Sequence, residues 1–215
     1  MTRLIHMAKH IIPDTEHINP HAEPPWRRSE YDPDALDRIR LYIPTNKPGT
    51  SVKLEWAEDH TNLYDEYKND NDFMFVYTDG SLSYYNRARR TGFGVAIYRN
   101  NTEITSKKGP MGEFVEAYDT EMKALEVASK MIHDIVNNTD TPPSKIIIAT
   151  DNTAALQRIF QGSPGKAQKC SDTFRKHIID ILDSHENVQF AFTWCPGHLD
   201  IEGNERADYL AKSGS

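Results

Sequence analysis

The pattern of apolar positions changes near residue 73. Downstream of that point, Phe73–Thr78 and Gly92–Tyr98 are short runs rich in aromatic and β-branched residues, and Glu103–Lys108 is a weaker run. Polar residues separate the runs, and we predict a turn over Asn86–Arg90. Short strands joined by short polar turns are typical of an antiparallel meander. We therefore predict three antiparallel strands, the first of which ends at Asp79.

The apolar positions then take on a helical spacing. Tyr118, Met122, Leu125, Ile132 and Val136 are separated by three, four or seven residues, which predicts an amphipathic helix. Further elements are predicted in the following order: a strand over Lys145–Thr150, helices over Thr153–Phe160 and Ala167–Ser184, a strand over Val188–Trp194 and a helix over Arg206–Lys212. This order predicts an α/β domain over residues 73–215. Its five-stranded mixed sheet has three antiparallel strands, then two parallel ones, with helices on both faces.

The first third of the chain lacks a sustained period. Residues 1–72 are rich in proline, so we interpret them as an extended N-terminal segment or linker. Within it, Asp34–Tyr42 is compatible with a short helix and Val52–Trp56 with a short strand. We expect the segment to pack on the domain through Trp26 and Trp56.

Charge and cysteine content narrow the classes of partner. The formal net charge is −7, yet residues 1–72 hold 14 acidic and 9 basic residues, which leaves 18 and 16 for the rest. Local basic clusters, rather than net charge, decide whether phosphate is bound. Cys170 and Cys195 give no disulfide framework, and Cys195-x-x-His198 lacks the second pair of a zinc site. Scarce cysteine and the absence of a long apolar run predict an intracellular protein without a membrane-spanning segment.

Four acidic residues occupy positions at which carboxylates can meet. Asp79 and Asp151 each follow a predicted strand, Glu121 lies in the first turns of the long helix, and Asp208 lies on the last helix. Strand ends and helix starts gather at one edge of an α/β sheet. Carboxylates that converge there repel one another, and Mg²⁺ or Mn²⁺ would remove that repulsion. His198 follows Pro196-Gly197 on a loop, where it is placed for proton transfer.

These residues carry a resemblance to a known family. Thr78–Ser81, Thr150–Asn152 and His198–Asp208, with the helix that bears Glu121, resemble the motifs of the type 1 ribonuclease H family. The sequence of residues 194–208 is most similar to that of the ribonuclease H domain that follows the reverse transcriptase in non-LTR retrotransposons. The resemblance implies a ribonuclease H-like fold and hydrolysis of the RNA strand of RNA–DNA hybrids. It also implies two Mg²⁺ ions, with Mn²⁺ able to substitute, and a reverse transcriptase domain of the same polyprotein as a partner. Access to a chromosome or a retroelement intermediate implies the nucleus or the cytoplasm.

The resemblance also implies a role for each matching residue. Asp79 would bridge both ions, Glu121 and Asp151 would complete one site, Asp208 would complete the other, and His198 would move protons. Hybrid contacts are expected from four further positions: Gly80, Ser81, Asn152 and Asn204.

The chain departs from the family pattern before Glu121, since Ala117 and Tyr118 stand where many members carry Asn or Gln that read the minor groove. Two alternatives remain open. One is a catalytically weak nucleic-acid or protein-binding module of the same fold. The other is a proofreading-type exonuclease, which expects an Asp-x-Glu pair on the first strand, whereas residue 81 is Ser.

Overall fold

The computed structural model describes residues 31–161 and 165–215, which form one six-stranded mixed sheet with helices on both faces. The predicted α/β class is therefore confirmed, with six strands in place of five. The strands are β1 (Ile39–Tyr42), β2 (Phe73–Tyr85), β3 (Ala88–Arg99), β4 (Thr102–Pro110), β5 (Lys145–Thr150) and β6 (Gln189–Trp194). The helices are α1 (Pro33–Asp37), α2 (Thr50–Tyr67), α3 (Ala117–Asn138), α4 (Thr153–Gln161), α5 (Gln168–Ser184) and α6 (Glu202–Gly214).

The strand order across the sheet is β1-β6-β5-β2-β3-β4. β1, β6, β5 and β2 pair in parallel, while β2, β3 and β4 form the predicted antiparallel meander. β5 is a continuous apolar run in the centre of the sheet, buried from Ile146 to Thr150 because both faces are covered. One face packs against α3, α4 and α5, and the other against α2 and α6.

The hairpin of β2 and β3 is longer than the sequence predicted. β2 continues beyond Asp79 to Tyr85, because every residue from Gly80 onwards has a cross-strand partner on β3. The turn predicted over Asn86–Arg90 is confined to Asn86 and Arg87, both with positive φ (50° and 66°). Two left-handed residues form the tight turn that suits the twist of a two-residue hairpin.

The last helix also begins earlier than predicted. It was predicted over Arg206–Lys212, but α6 starts at Glu202 and so includes Gly203 and Asn204. A side chain at position 203 would overlap the ring of Tyr77, so the glycine lets the first turn of α6 pack directly on β2.

The N-terminal segment differs most from its prediction. Residues 1–30, including Trp26, lie outside the described residues. The short helix expected over Asp34–Tyr42 is only α1, and its second half is β1, which pairs with β6 as the sixth strand. The strand expected over Val52–Trp56 is wrong, because α2 extends over these positions and lies on the sheet. Residues 50–67 are therefore helical rather than extended.

Every helix in the described residues is too short or too polar to cross a lipid bilayer.

Candidate functional site

The positions of Asp79 and Asp151 follow from the strand register. Thr78 on β2 pairs with Thr150 on β5, and the two strands are parallel. The next residue of each chain segment is an aspartate, so the two carboxylates emerge side by side where the parallel pairing ends. Asp79 is 8% exposed, whereas Asp151 is partly exposed at the start of the loop before α4.

Glu121 reaches the same place from α3. Glu116 and Asp119 form a capping box that starts this helix, so Glu121 falls in its second turn. Gly80 allows the close approach of α3 to β2, since a side chain there would overlap the backbone of Thr120 and Glu121. Glu121 is 8% exposed, and its Oε2 is buried without a hydrogen-bond partner among the described residues.

Three carboxylates therefore form one cluster. One oxygen from each of Asp79, Glu121 and Asp151 lies within 4.8 Å of the others. Burial, followed by the nearby charges of Asp151 and Asp208, raises the pKa of Asp79 to about 8. Burial and the charges of Asp79 and Asp151 also raise the pKa of Glu121 well above its usual value. The cluster thus concentrates negative charge in a poorly solvated place.

A second cluster lies beside the first. Ligand atoms of His198, Glu205 and Asp208 also lie within 4.8 Å of one another. His198 is exposed on the loop between β6 and α6 and has a positive φ of 59°. Asp208 lies on α6 and forms an ion pair of 2.6 Å with Lys212. The structure therefore divides the five residues predicted to be catalytic between two clusters. Asp79, Glu121 and Asp151 are in the first, and His198 and Asp208 are in the second.

The two clusters influence each other electrostatically. The charge of Asp208 raises the pKa of Asp79, and His198 counteracts the burial that raises the pKa of Asp151. The charges of the two clusters therefore act on each other across the edge of the sheet.

Glu205 was missed in the sequence. It lies three residues before Asp208 on α6, which places the two carboxylates on one face of the helix. Its Oε1 is buried without a hydrogen-bond partner among the described residues. The spacing of three residues from Asp208 could have indicated that Glu205 lies at the site. We assigned roles only to Asn204 and Asp208 in this motif.

The end of β6, the loop after it and α2 surround Asp151. Trp194 donates a hydrogen bond of 2.9 Å from Nε1 to the carbonyl oxygen of Asp151. Gly197 lies against the same carboxylate, because an added Cβ would come within 2.6 Å of Asp151 Oδ2. The ring of Trp56, on α2, packs edge-on against Trp194 with centroids 5.6 Å apart. Lys53, also on α2, lowers the pKa of Asp151 through its charge.

The four positions predicted to contact a hybrid lie around these clusters. Asn152 caps α4, since its Oδ1 accepts a hydrogen bond of 3.0 Å from Ala155 N. Gly80 is half-buried, whereas Ser81 and Asn204 are 7% and 4% exposed. Contact with a hybrid remains a prediction for all four.

Clustered carboxylates at the edge of a mixed sheet are typical of proteins that bind divalent cations for phosphoryl chemistry. Residues 70–215 match the sequence model of the RNase H family. The chain belongs to the RNase H family.

Solved structures similar to the chain include three ribonucleases H. RNase H1 of the halophilic archaeon Halobacterium salinarum is 17% identical, with a TM-score of 0.47 over 66% of this chain and 96% of that chain. LC11-RNase H1 in complex with an RNA/DNA hybrid is 21% identical, with a TM-score of 0.46 over 65% and 94%. The N-terminal RNase H domain of a Mycobacterium tuberculosis protein is 13% identical, with a TM-score of 0.45 over 66% and 92%. No curated protein matches the chain.

Proposed function

We propose that the protein is an endonuclease that hydrolyses the RNA strand of RNA–DNA hybrids with two divalent cations, and that it leaves 5′-phosphate and 3′-hydroxyl ends. The observation that carries this proposal is the convergence of Asp79, Glu121 and Asp151 from three different elements, beside a second cluster that contains Asp208 and His198. Membership of the RNase H family supports the same reaction.

The residues at the site fit a divalent cation. Three carboxylates whose pKa values are raised by burial and mutual repulsion are costly to ionise without a counter-charge. The buried Oε2 of Glu121 has no hydrogen-bond partner among the described residues, so it is available as a ligand. Hard oxygen ligands favour Mg²⁺, with Mn²⁺ as a substitute, over Zn²⁺.

Asp79, Glu121 and Asp151 would hold one cation, and Asp79 with Asp208 would hold the other. Cations held there would lower the pKa of an attacking water and would stabilise the charge on the leaving 3′ oxygen. The protein keeps the carboxylates in register through the paired strand ends and the bond from Trp194. His198 is exposed beside Asp208, so its imidazole can carry a proton between the site and solvent.

Selection of RNA would rest on contacts with the 2′-hydroxyl in the wide minor groove. Backbone groups of Gly80 and Ser81, together with the side chains of Asn152 and Asn204, are the proposed contacts. Since the sequence of residues 194–208 is most similar to that of the retrotransposon domains, we also propose a reverse transcriptase domain as a partner. The proposed location is inside the cell, where such hybrids form.

Cleavage of a labelled RNA–DNA hybrid in Mg²⁺ tests the proposal, with single-stranded RNA and duplex DNA as controls. We expect cleavage of the hybrid RNA alone, and its loss in Asp151→Asn. Asp200→Asn is the matched control, because Asp200 is an exposed aspartate on the same loop as His198 and belongs to neither cluster. Binding of the hybrid without cleavage, in both Mg²⁺ and Mn²⁺, would instead identify a binding module.

A further inference from the structure

The tip of the β2–β3 hairpin exposes aromatic rings beside arginines. Tyr84 is 70% exposed and Tyr85 is 59% exposed, and Phe114, on the loop before α3, is 97% exposed. Arg87 and Arg90 are exposed on the same hairpin. We call these five residues the aromatic–basic tip.

Contacts join the hairpin to the loop that carries Phe114. Arg89 forms an ion pair of 3.3 Å with Glu116, which caps α3. Thr91 forms two hydrogen bonds with the same loop. Its hydroxyl donates to the carbonyl oxygen of Gly112, and its own carbonyl oxygen accepts from Met111 N. The loop therefore runs beside the hairpin and leads into the helix that bears Glu121.

The chemistry of the tip fits nucleic acid. The guanidinium of Arg90 lies 4.7 Å from the centre of the Tyr85 ring, a cation–π contact at an exposed position. Arg89 is neutralised by Glu116, whereas Arg87 and Arg90 form no ion pair with any carboxylate in residues 31–161 or 165–215. Exposed rings interleaved with unneutralised arginines suit a polyanion whose bases can stack.

Exposed rings distinguish unpaired nucleotides from a duplex. The bases of a duplex are stacked on one another and present only edges, whereas an unpaired base offers a face to an aromatic side chain. We propose that the aromatic–basic tip binds unpaired nucleotides that continue from a hybrid held at the carboxylates. This inference rests on the proposed function, because it takes the hybrid to lie at Asp79.

The length of β2 between Asp79 and the tip sets the distance from the cleaved phosphate at which the single strand must begin. Tyr84 lies five residues beyond Asp79 on β2, and at about 3.3 Å per residue this is roughly 17 Å. Nucleotides along one strand are spaced by about 3.4 Å. A single-stranded extension should therefore reach the tip when it begins about five nucleotides from the cleaved phosphate.

Binding measurements in the cleavage-deficient Asp151→Asn protein test the inference. We would compare a blunt hybrid with hybrids that carry an eight-nucleotide extension of either the RNA or the DNA strand. We expect one extension to lower Kd by about tenfold, since stacking on a single exposed ring is worth roughly that factor. Tyr84→Ala with Phe114→Ala should remove this gain and leave the Kd of the blunt hybrid unchanged.

Tyr42→Ala is the matched control, because Tyr42 is 51% exposed on β1 at the far side of the sheet. It should retain the full gain. Arg87→Ala should lower the salt dependence of binding to the extended hybrid by about one counterion.

Equal Kd values for blunt and extended hybrids would overturn the inference. If the double variant loses the same affinity for the blunt and the extended hybrid, the tip contacts duplex and the inference is overturned. A protein that occupies the tip without changing the Kd of the extended hybrid would overturn it as well. Cleavage of the blunt hybrid by the wild type is measured separately. Its absence would reject the proposed function, whereas its presence without any gain from an extension would reject only the role of the tip.

Discussion

The N-terminal elements and the carboxylate edge contribute to the molecule in opposite ways. α1, β1 and α2 add apolar contacts to the sheet: Ile39 is 2% exposed in the strand that pairs with β6, and Trp56 packs on Trp194. The edge at Asp79 instead gathers buried like charges, which oppose folding. α1, β1 and α2, which lie outside the family match, thus stabilise the sheet, whereas the carboxylates at its edge destabilise it.

The largest effect that we expect concerns pH in the absence of divalent cations. Burial and neighbouring carboxylates raise the pKa of Asp79 from 3.8 to about 8, so the folded state holds this proton more tightly than the unfolded state. Stability from this group is complete below about pH 4 and is lost as the pH rises towards 8. The free energy of unfolding in EDTA should fall by several kcal/mol over this window, at about 1.4 kcal/mol per unit of pKa difference.

Urea unfolding at a series of pH values measures this effect. Saturating Mg²⁺ should restore stability at the alkaline end, since a cation that binds only the folded state stabilises it. A metal-free protein whose stability is flat from pH 4 to 8 would show that the carboxylates do not repel one another.

The second effect tests the sixth strand. Ile39→Ala should lower the free energy of unfolding by about 2–4 kcal/mol, similar to Ile148→Ala in the central strand, because both side chains are buried. Leu36→Ala is the control on the neighbouring helix, where Leu36 is 38% exposed, and should change stability by less than about 0.5 kcal/mol. If Ile39→Ala behaves like the control, β1 does not belong to the folded sheet.

The third effect links α2 to catalysis. Trp56→Ala removes the ring that supports Trp194, which in turn bonds to the carbonyl of Asp151. We expect a loss of about 1–3 kcal/mol in stability and a fall in kcat of roughly tenfold with little change in KM. Trp56→Phe should restore most of kcat. Leu63→Ala, on the same helix but packed against the core cluster of Phe73 and Tyr77 and not that of Trp194, should destabilise without this fall.

A comparable fall in kcat for Leu63→Ala would mean that α2 acts only through stability. Steady-state kinetics well below the melting temperature of each variant separate the two cases.

The smallest effect concerns Lys53. Its charge lowers the pKa of Asp151, so Lys53→Ala should raise that pKa and move the acidic limb of the pH–rate profile to higher pH. Because Lys53 is exposed and its charge is screened by solvent, the shift should be small. Lys68→Ala, one residue beyond the other end of α2, should leave the profile in place.

Sequence patterns identified the elements whose structure is decided locally. β5 was predicted with its observed bounds, because Lys145–Thr150 is an apolar run flanked by Pro142-Pro143 and Asp151. α3 has a clear apolar stripe, with Met122, Leu125 and Ile132 all buried. Asp151 could be placed at the sheet edge because it follows β5, and Glu121 because it lies near the start of α3.

Elements that depend on distant contacts were missed. α2 buries only Ala57 and His60 fully, so its apolar pattern is too weak to indicate a helix, and it is held by the sheet beneath it. β1 has four residues and acquires its strand structure by pairing with β6, about 150 positions later. The extension of β2 beyond Asp79 likewise requires a partner strand.

The site was predicted less completely than the fold for the same reason. The sequence gives no indication that Trp56 or Lys53 approaches Asp151, since only the folded chain brings α2 to that edge. The division of the acids into two clusters, with Glu205 in the second, also depends on how α6 packs against β2 and β3.

One paired measurement on Asp79→Asn tests the central claim, that the carboxylate edge is a cation site built for hydrolysis. Calorimetric titration with Mg²⁺ and cleavage of the hybrid would be compared with urea unfolding in EDTA at pH 7. The account predicts that the variant binds Mg²⁺ weakly, loses cleavage by roughly a thousandfold or more, and is more stable than the wild type without metal. Cleavage that survives in EDTA, or in the variant, would contradict it.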